Sequence, residues 1–353
     1  MRLPVARGPL TDELISALRR PAGSVRLFGA GLALDPPAAV LADDDLQLGL
    51  WTCYELHYGG FTDAQPGWEW EPELMSWTRA LEDLFSSALR GCVRLEPAPA
   101  GDSIADRLRA LIDADSGPEL ARQLQSSATA EEFREFVTHR SIYHLKEADP
   151  HSWAIPRLRG KAKAALVEIL SDEYGAGSVS RMHSELFRAT MRSLGLDDSY
   201  GHYLDQVPGV TLAINNLMSY FGLHRENRGA LAGHLAAFEM TSSTPNRRYG
   251  KGLRRLGGDA TATRFYDEHV TADALHEQLA AHDLCGSLVA DEPELAEDVL
   301  FGAACALHLD NVFAEHLLSC WTTGSSSLRT AGTERLADRR DVVSTTGAGA
   351  VIG

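Results

Sequence analysis

The chemistry of this chain is most concentrated in the stretch Arg264-Phe-Tyr-Asp-Glu-His-Val-Thr-Ala-Asp-Ala-Leu-His276, where His269, Asp273 and His276 follow one another at steps of four and three residues. With about 3.6 residues per helical turn, the three side chains fall within roughly 60° of one helix face. Two imidazoles and a carboxylate can therefore converge on one or two metal ions. The plain alternative is a solvated helix face carrying unrelated His and Asp, which a single motif does not exclude. A carboxylate-bridged metal pair inside a helical bundle needs inward ligands from several helices, mixing His with Glu or Asp so that anionic oxygens balance the cations. Upstream, Glu239 closes the apolar run Leu231-Ala-Gly-His-Leu-Ala-Ala-Phe-Glu239. A charge there is rarely placed without a partner, unless it is a helix-end Glu reaching water. His183 in Arg181-Met-His-Ser-Glu185, Glu173 in Ser171-Asp-Glu-Tyr174 and Glu147 in Leu145-Lys-Glu-Ala148 are further candidates, each weak alone.

Such ligands need rigid helices to aim them. The apolar periodicity predicts an all-α protein, with alternating strand-like runs scarce. Helices are expected over Thr11–Arg20, Asp43–Tyr58, Glu71–Leu89, Ser103–Asp113, Pro118–Gln125 and Ala130–Ala148. A second series is expected at Arg157–Tyr174, Ser178–Leu194, Val210–Leu223, Arg228–Glu239, Pro245–Gly250, Ala260–His282 and Pro293–Trp321. Gly175-Ala-Gly177 and Gly257-Gly258 read as helix stops. The expected organisation is an N-terminal helical region (1–129), a chemistry-bearing domain (130–321) and a Thr/Ser/Gly-rich flexible tail (322–353).

Composition narrows the partners. A formal net charge of -16 in 353 residues repels phosphate backbones and anionic bilayers, so neither nucleic acid nor membrane is expected. The opening residues lack a signal-peptide apolar stretch and no run of about 18 apolar residues occurs, which leaves a cytoplasmic address as the expectation. Cys53, Cys92, Cys285, Cys305 and Cys320 form no CxxC pair. They read as small buried hydrophobes rather than a disulfide frame or zinc knuckle.

The ordered series Glu147, Glu173, His183, Glu239, His269-x3-Asp273-x2-His276 closely resembles the haem-oxygenase-like diiron oxidases and oxygenases, and is most similar to their N-oxygenase branch of the streptozotocin type. Tyr143-His-Leu-Lys-Glu-Ala-Asp-Pro150 and Phe265-Tyr-Asp-Glu-His-Val270 are also similar to that family, and the likeness runs from about Ala130 to Trp321. The resemblance implies a haem-oxygenase-like helical bundle. It implies two iron ions held by Glu147, His183, Glu239, His269, Asp273 and His276, with Glu173 as an extra ligand of catalytic importance. Mn would suit the same donors. The implied reaction activates O2 to oxygenate an amine or guanidine nitrogen of an amino-acid-like substrate in specialised metabolism, fed by an external electron donor; a homodimer is possible. Charge counting agrees independently: the carboxylates of Glu147, Glu173, Glu239 and Asp273 balance two Fe(II) ions, while neutral imidazoles add nothing. Oxidation would raise the positive charge and give Glu173 a role as a mobile ligand.

Rival readings come from the same residues. An oxidase cleaving a C–C bond, or desaturating an amino or fatty acid, would use the same metals. A non-catalytic metal-binding scaffold could present the Trp-rich N-terminal region, in which Trp51, Trp68, Trp70 and Trp77 otherwise build a core or dimer face. A cofactorless thiaminase-type relative would need a pocket cysteine, and no cysteine context argues for one. No Glu-x-x-His occurs, which argues against ferritin-like bundles and HExxH proteases. Glu55 and His57 point to different sides of a helix and read as structural. His139, His144 and His151 flank Glu147 as surface or supporting groups, with His144 or His151 able to replace a ligand. His308, Asp310, Glu315 and His316 read as mostly structural. Arg254 and Arg255 could hold a substrate carboxylate, though a solvated basic turn is the simpler reading.

Overall fold

The computed structural model describes residues 1–28, 36–96 and 101–329, the side chains of 272–274 apart. The described residues are all-α as expected, with no strand. The N-terminal helices are α1 (Pro9–Leu18), α2 (Pro37–Ala42), α3 (Asp44–Glu55), α4 (Pro72–Cys92), α5 (Ile104–Asp113) and α6 (Leu120–Ser126). They are followed by α7 (Ala130–His144), α8 (Asp149–Ser152), α9 (Gly160–Glu173), α10 (His183–Ser193), α11 (Gly209–Leu223) and α12 (Arg228–Thr241). The series ends with α13 (Ser243–Arg255), α14 (Ala260–Gln278), α15 (Ser287–Asp291) and α16 (Ala296–Thr322).

Local chemistry explains the starts. Thr129 and Glu132 form a reciprocal capping box that opens α7, and Asp259 caps α14 by accepting from Ala262 N–H at 2.9 Å. Helix α16 lies along α12, α13 along α14, and α10 against α14, while α3 packs on α11. At the α12–α16 crossing Gly233 and Gly302 each meet the other helix's backbone, where any Cβ would collide with a carbonyl. One continuous apolar cluster runs from Leu3 to Leu317, with Trp51, Trp68 and Trp77 buried in it and Trp70 exposed.

Several boundaries differ from expectation, for identifiable reasons. The helix expected over Ala130–Ala148 stops at His144, because Ala148 adopts a left-handed conformation (φ 75°) that no α-helix continues through. The expected Ser178–Leu194 helix begins only at His183, after two short 3-10 turns over 175–181. The helix expected at Pro245–Gly250 extends over Ser243–Arg255, and α14 passes into a π-helical turn, Leu279–Gly286, instead of running on as α-helix. Part of the expected tail is ordered: Glu135 accepts from Ser327 N–H at 2.9 Å, and Arg329 N–H donates to Gln206 O at 2.7 Å. Residues 330–353 lie outside the described residues.

Candidate metal centre

A turn, the facing ends of α9 and α10, the C-terminal part of α12 and one face of α14 build the centre. Glu173 is the last residue of α9 and His183 the first of α10. Between them the chain reverses at Gly175 (φ 63°), where a Cβ would sit 2.6 Å from the Arg181 and Met182 backbone. Only glycine admits both that φ and that approach, so the turn brings His183 Nδ1 to 2.8 Å from Glu173 Oε2. Glu147 sits in the turn after α7, immediately before the left-handed Ala148. Glu239 lies near the end of α12, and His269 and His276 share one face of α14.

These residues form two donor groups: Glu147, Glu173, His183 and His269 in one, and Glu173, Glu239 and His276 in the other, with the donor atoms of each group within 4.8 Å of one another. Glu173, expected as an extra ligand, is the member common to both. The backbone of Asp273 is on α14 between His269 and His276, but its side chain lies outside the described residues.

The electrostatics of the pocket suit cations. Although His183 Nδ1 and Glu173 Oε2 face each other at 2.8 Å, neither is hydrogen-bonded, and Glu147 Oε2 is also buried without a partner. Buried polar atoms are rarely left so, and here they converge on one space that a shared ion would fill. Burial raises the Glu147 carboxyl, with His269 and His183 opposing it. Burial, reinforced by the charges of Glu147 and Glu239, pushes Glu173 well above the usual carboxylate range. Glu147 and Glu173, both raised by burial, hold protons that divalent ions would displace. Burial lowers His183, and lowers His269 to about 4, keeping both rings neutral and able to donate a lone pair. At His276 burial works against protonation, but hydrogen bonds and charge from Glu239 and Asp172 outweigh it and lift the ring to about 9.

Supporting contacts fix which nitrogen faces inward. His269 Nδ1–H donates to Phe265 O at 2.9 Å, which leaves Nε2 as the free lone pair. Asp172 Oδ2 lies 3.0 Å from His276 Nε2, while Nδ1 approaches Glu239 Oε2 at 3.3 Å. With Glu147 ionised, His144 Nδ1–H donates to its Oε1 at 2.8 Å. The Phe265 ring, fully buried, packs against His144 at 4.8 Å, His269 at 4.4 Å and His183 at 6.2 Å.

A cavity of about 150 Å³ adjoins the centre, lined by Glu147, Glu173, Glu239 and His269 together with Tyr143, Phe238, Tyr249 and Tyr266. Its wall also holds Arg140 and Asp310. No cysteine lines it; burial pushes the Cys53 and Cys285 thiols up to about 12, leaving them poor nucleophiles.

Residues 134–311 match the family described as iron-containing redox enzyme. The chain belongs to that family. It is also similar to a nitrosourea synthase from Streptomyces achromogenes subsp. streptozoticus, 27% identical over 188 residues that cover 53% of this chain and 40% of the relative. The chain therefore matches less than half the length of that protein. The all-α character expected from periodicity and the haem-oxygenase-like fold implied by the resemblance are shown by both observations together with the helical structure.

Other expectations resolve individually. His144 supports Glu147. His151 lines the cavity, 3.2 Å from His234 of α12, whereas His139 is engaged with Thr211 and Ser327. His316 Nε2–H donates to Ser327 O at 2.8 Å, a structural role, but Asp310, read from sequence as structural, faces the cavity. Arg255 donates to the carbonyls of Gln125 and Ala128, and Arg254 pairs with Asp267, so both are committed to packing. Sequence reasoning missed Asp172 and Arg140. The acidic pair Asp172-Glu173 was visible, but adjacent helical residues point apart, and only the placement of α14 shows that Asp172 reaches His276.

Proposed function

We propose that the chain is a nonhaem diiron oxygenase that uses O2 to oxidise a nitrogen of a small amino-acid-like substrate. The observation that carries this reading is the pair of donor groups joined by Glu173. Glu147, His183 and His269 would hold one ion, Glu239 and His276 the other, and Glu173 both. Asp273, on α14 between His269 and His276, would be a further ligand. Bound ferrous iron supplies the electrons and open coordination positions through which O2 is engaged. The chain's own part is to keep three imidazoles neutral or carboxylate-paired, hold the carboxylates in register and exclude bulk water with the Phe265, Phe238 and Tyr143 rings. Similarity to a nitrosourea synthase supports nitrogen as the atom oxidised. An external electron donor is needed between turnovers.

The test is anaerobic titration with Fe(II), metal counting per chain, and O2 uptake with and without amine- and guanidine-bearing amino acids. Two irons per chain with substrate-dependent O2 uptake and hydroxylated nitrogen in the product are expected. One iron or none, or uptake without any nitrogen oxidation, refutes the reading.

A further inference from the structure

We propose that the Arg140–Asp310 ion pair is the head-group subsite of the cavity, selecting a zwitterionic α-amino acid whose side chain extends to the metal ligands. This rests on the cavity's being the substrate chamber. Arg140 Nη2–H donates to Asp310 Oδ1 at 2.6 Å, and both residues line the cavity that Glu147, Glu173, Glu239 and His269 line. The arginine side chain is 14% exposed and the aspartate 50% exposed, so the pair stands where the cavity meets water.

The guanidinium is held rather than loose. It lies 4.6 Å from the Phe313 ring centre and 5.7 Å from that of Phe136. Asp310 and Tyr249 occupy only part of its five-donor fork, leaving N–H groups for a carboxylate. Next to it, the Tyr266 hydroxyl is buried without a partner in the field of Arg140, an unsatisfied group that a bound polar ligand would complete.

Charge decides which head group suits the pair. A simple carboxylate at Arg140 meets repulsion from Asp310, and a simple amine at Asp310 meets repulsion from Arg140. An α-carboxylate beside an α-ammonium presents the opposite dipole to both at once. Length agrees. Arg140 and His144 lie one turn, about 6 Å, apart along α7 at 1.5 Å per residue, and Glu147 follows in the turn beyond, so head subsite and metal ligand stand at different depths of the same cavity. An extended side chain of the arginine or lysine class would carry the head group's partner atoms from the cavity mouth toward the donor groups.

The pair differs from a purely structural α7–α16 bridge in what it predicts for binding. Calorimetry on the full chain, metal-free and anaerobically loaded with Fe(II), compares L-arginine and L-lysine with agmatine and cadaverine, which lack the carboxylate. It also compares them with 5-guanidinopentanoate and 6-aminohexanoate, which lack the α-amine. At least one amino acid is expected to bind tenfold or more tighter than both of its truncated partners. Arg140→Lys, which keeps the charge but loses the fork, should erase the advantage over the amine. Asp310→Asn, at a half-exposed position, should erase the advantage over the acid while the protein keeps its melting temperature. No binding by either amino acid, equal binding of an amino acid and its truncated forms, or a preference surviving in both variants overturns the proposal. Two irons per chain without head-group discrimination would remove this inference and leave the diiron reading standing; discrimination without two irons would do the reverse.

Discussion

Breaking the buried pair Glu55–Lys146 should unfold the turn that carries Glu147. Lys146 Nζ lies 3.1 Å from Glu55 Oε2, with side chains 6% and 0% exposed. The ammonium is also 4.3 Å from the Tyr58 ring and 5.4 Å from that of Trp51, while Glu55 accepts from Tyr200 Oη–H at 2.8 Å. Glu55→Ala leaves the ammonium buried without its counter-ion, which costs about 3–5 kcal/mol. The aromatic rings retain about 1–2 kcal/mol of attraction for the cation, so a net loss of about 1–4 kcal/mol is expected. Lys146→Met should cost about 1–3 kcal/mol, because Tyr200 continues to hold Glu55 after the ammonium is gone. The double variant should cost less than the sum by at least about 1 kcal/mol, since removing both charges leaves neither unpaired. Urea unfolding of the four proteins measures the cycle, and iron counting on the folded variants reports whether Glu147 still binds. Additive losses within about 0.3 kcal/mol would show that the pair does not act as a unit, and undiminished iron content in Glu55→Ala would show that the N-terminal helices do not position the ligand turn.

Asp172→Asn weakens the acceptor that orients His276, and Fe(II) affinity should fall about 10–100-fold with melting temperature nearly unchanged; unchanged affinity would remove Asp172 from the site's support. Gly175→Ala forces a side chain into the Arg181–Met182 backbone at positive φ, so both the Glu173 and His183 contributions should be lost and stability should drop by more than about 2 kcal/mol; a folded variant with full iron content would contradict this. The pH dependence has a defined sign. His276 is lifted to about 9, so in metal-free protein its stabilisation is complete below the unfolded value near 6.5 and is lost as pH rises toward 9. The buried His139, His144 and His234, held well below their usual value, favour folding as pH rises but finish titrating near 6.5. The metal-free melting temperature should therefore fall between pH 7 and 9, and Fe(II), by displacing the proton, should abolish that fall; a rising metal-free curve refutes the assignment.

Apolar periodicity marks α4, α5, α10 and α13 strongly but α7, α12 and α14 weakly, and His269 and His276 were legible because both proposed ligands sit on one uninterrupted helix face. Glu147, Glu173 and His183 were reached through their spacing and family likeness, since each lies at a helix end where periodicity says nothing about direction. The left-handed Ala148 shows why: alanine is a strong helix former, and only tertiary packing holds it at φ 75°, cutting short a helix that local preference would extend. Asp310 was hidden for the opposite reason. It stands on a long amphipathic helix whose polar face looks solvated in sequence, and its cavity contact exists only because α7 brings Arg140 across to it.

The division between helix-borne and turn-borne members of the proposed ligand set bears on how such a centre would change charge. Glu239, His269 and His276 sit on α12 and α14, and α12 is fixed against α16 by the Gly233–Gly302 crossing, so these donors keep their spacing. Glu173 ends α9 and Glu147 sits in the turn after α7, where carboxylates have fewer backbone neighbours to restrain them, and Glu173 is the one shared between donor groups. A metal pair that gains positive charge on oxidation needs a carboxylate able to shift its sharing without moving the bundle. A glutamate at a helix terminus, backed by a glycine turn and facing two ion positions, meets that requirement; the same residue in the middle of α12 would not.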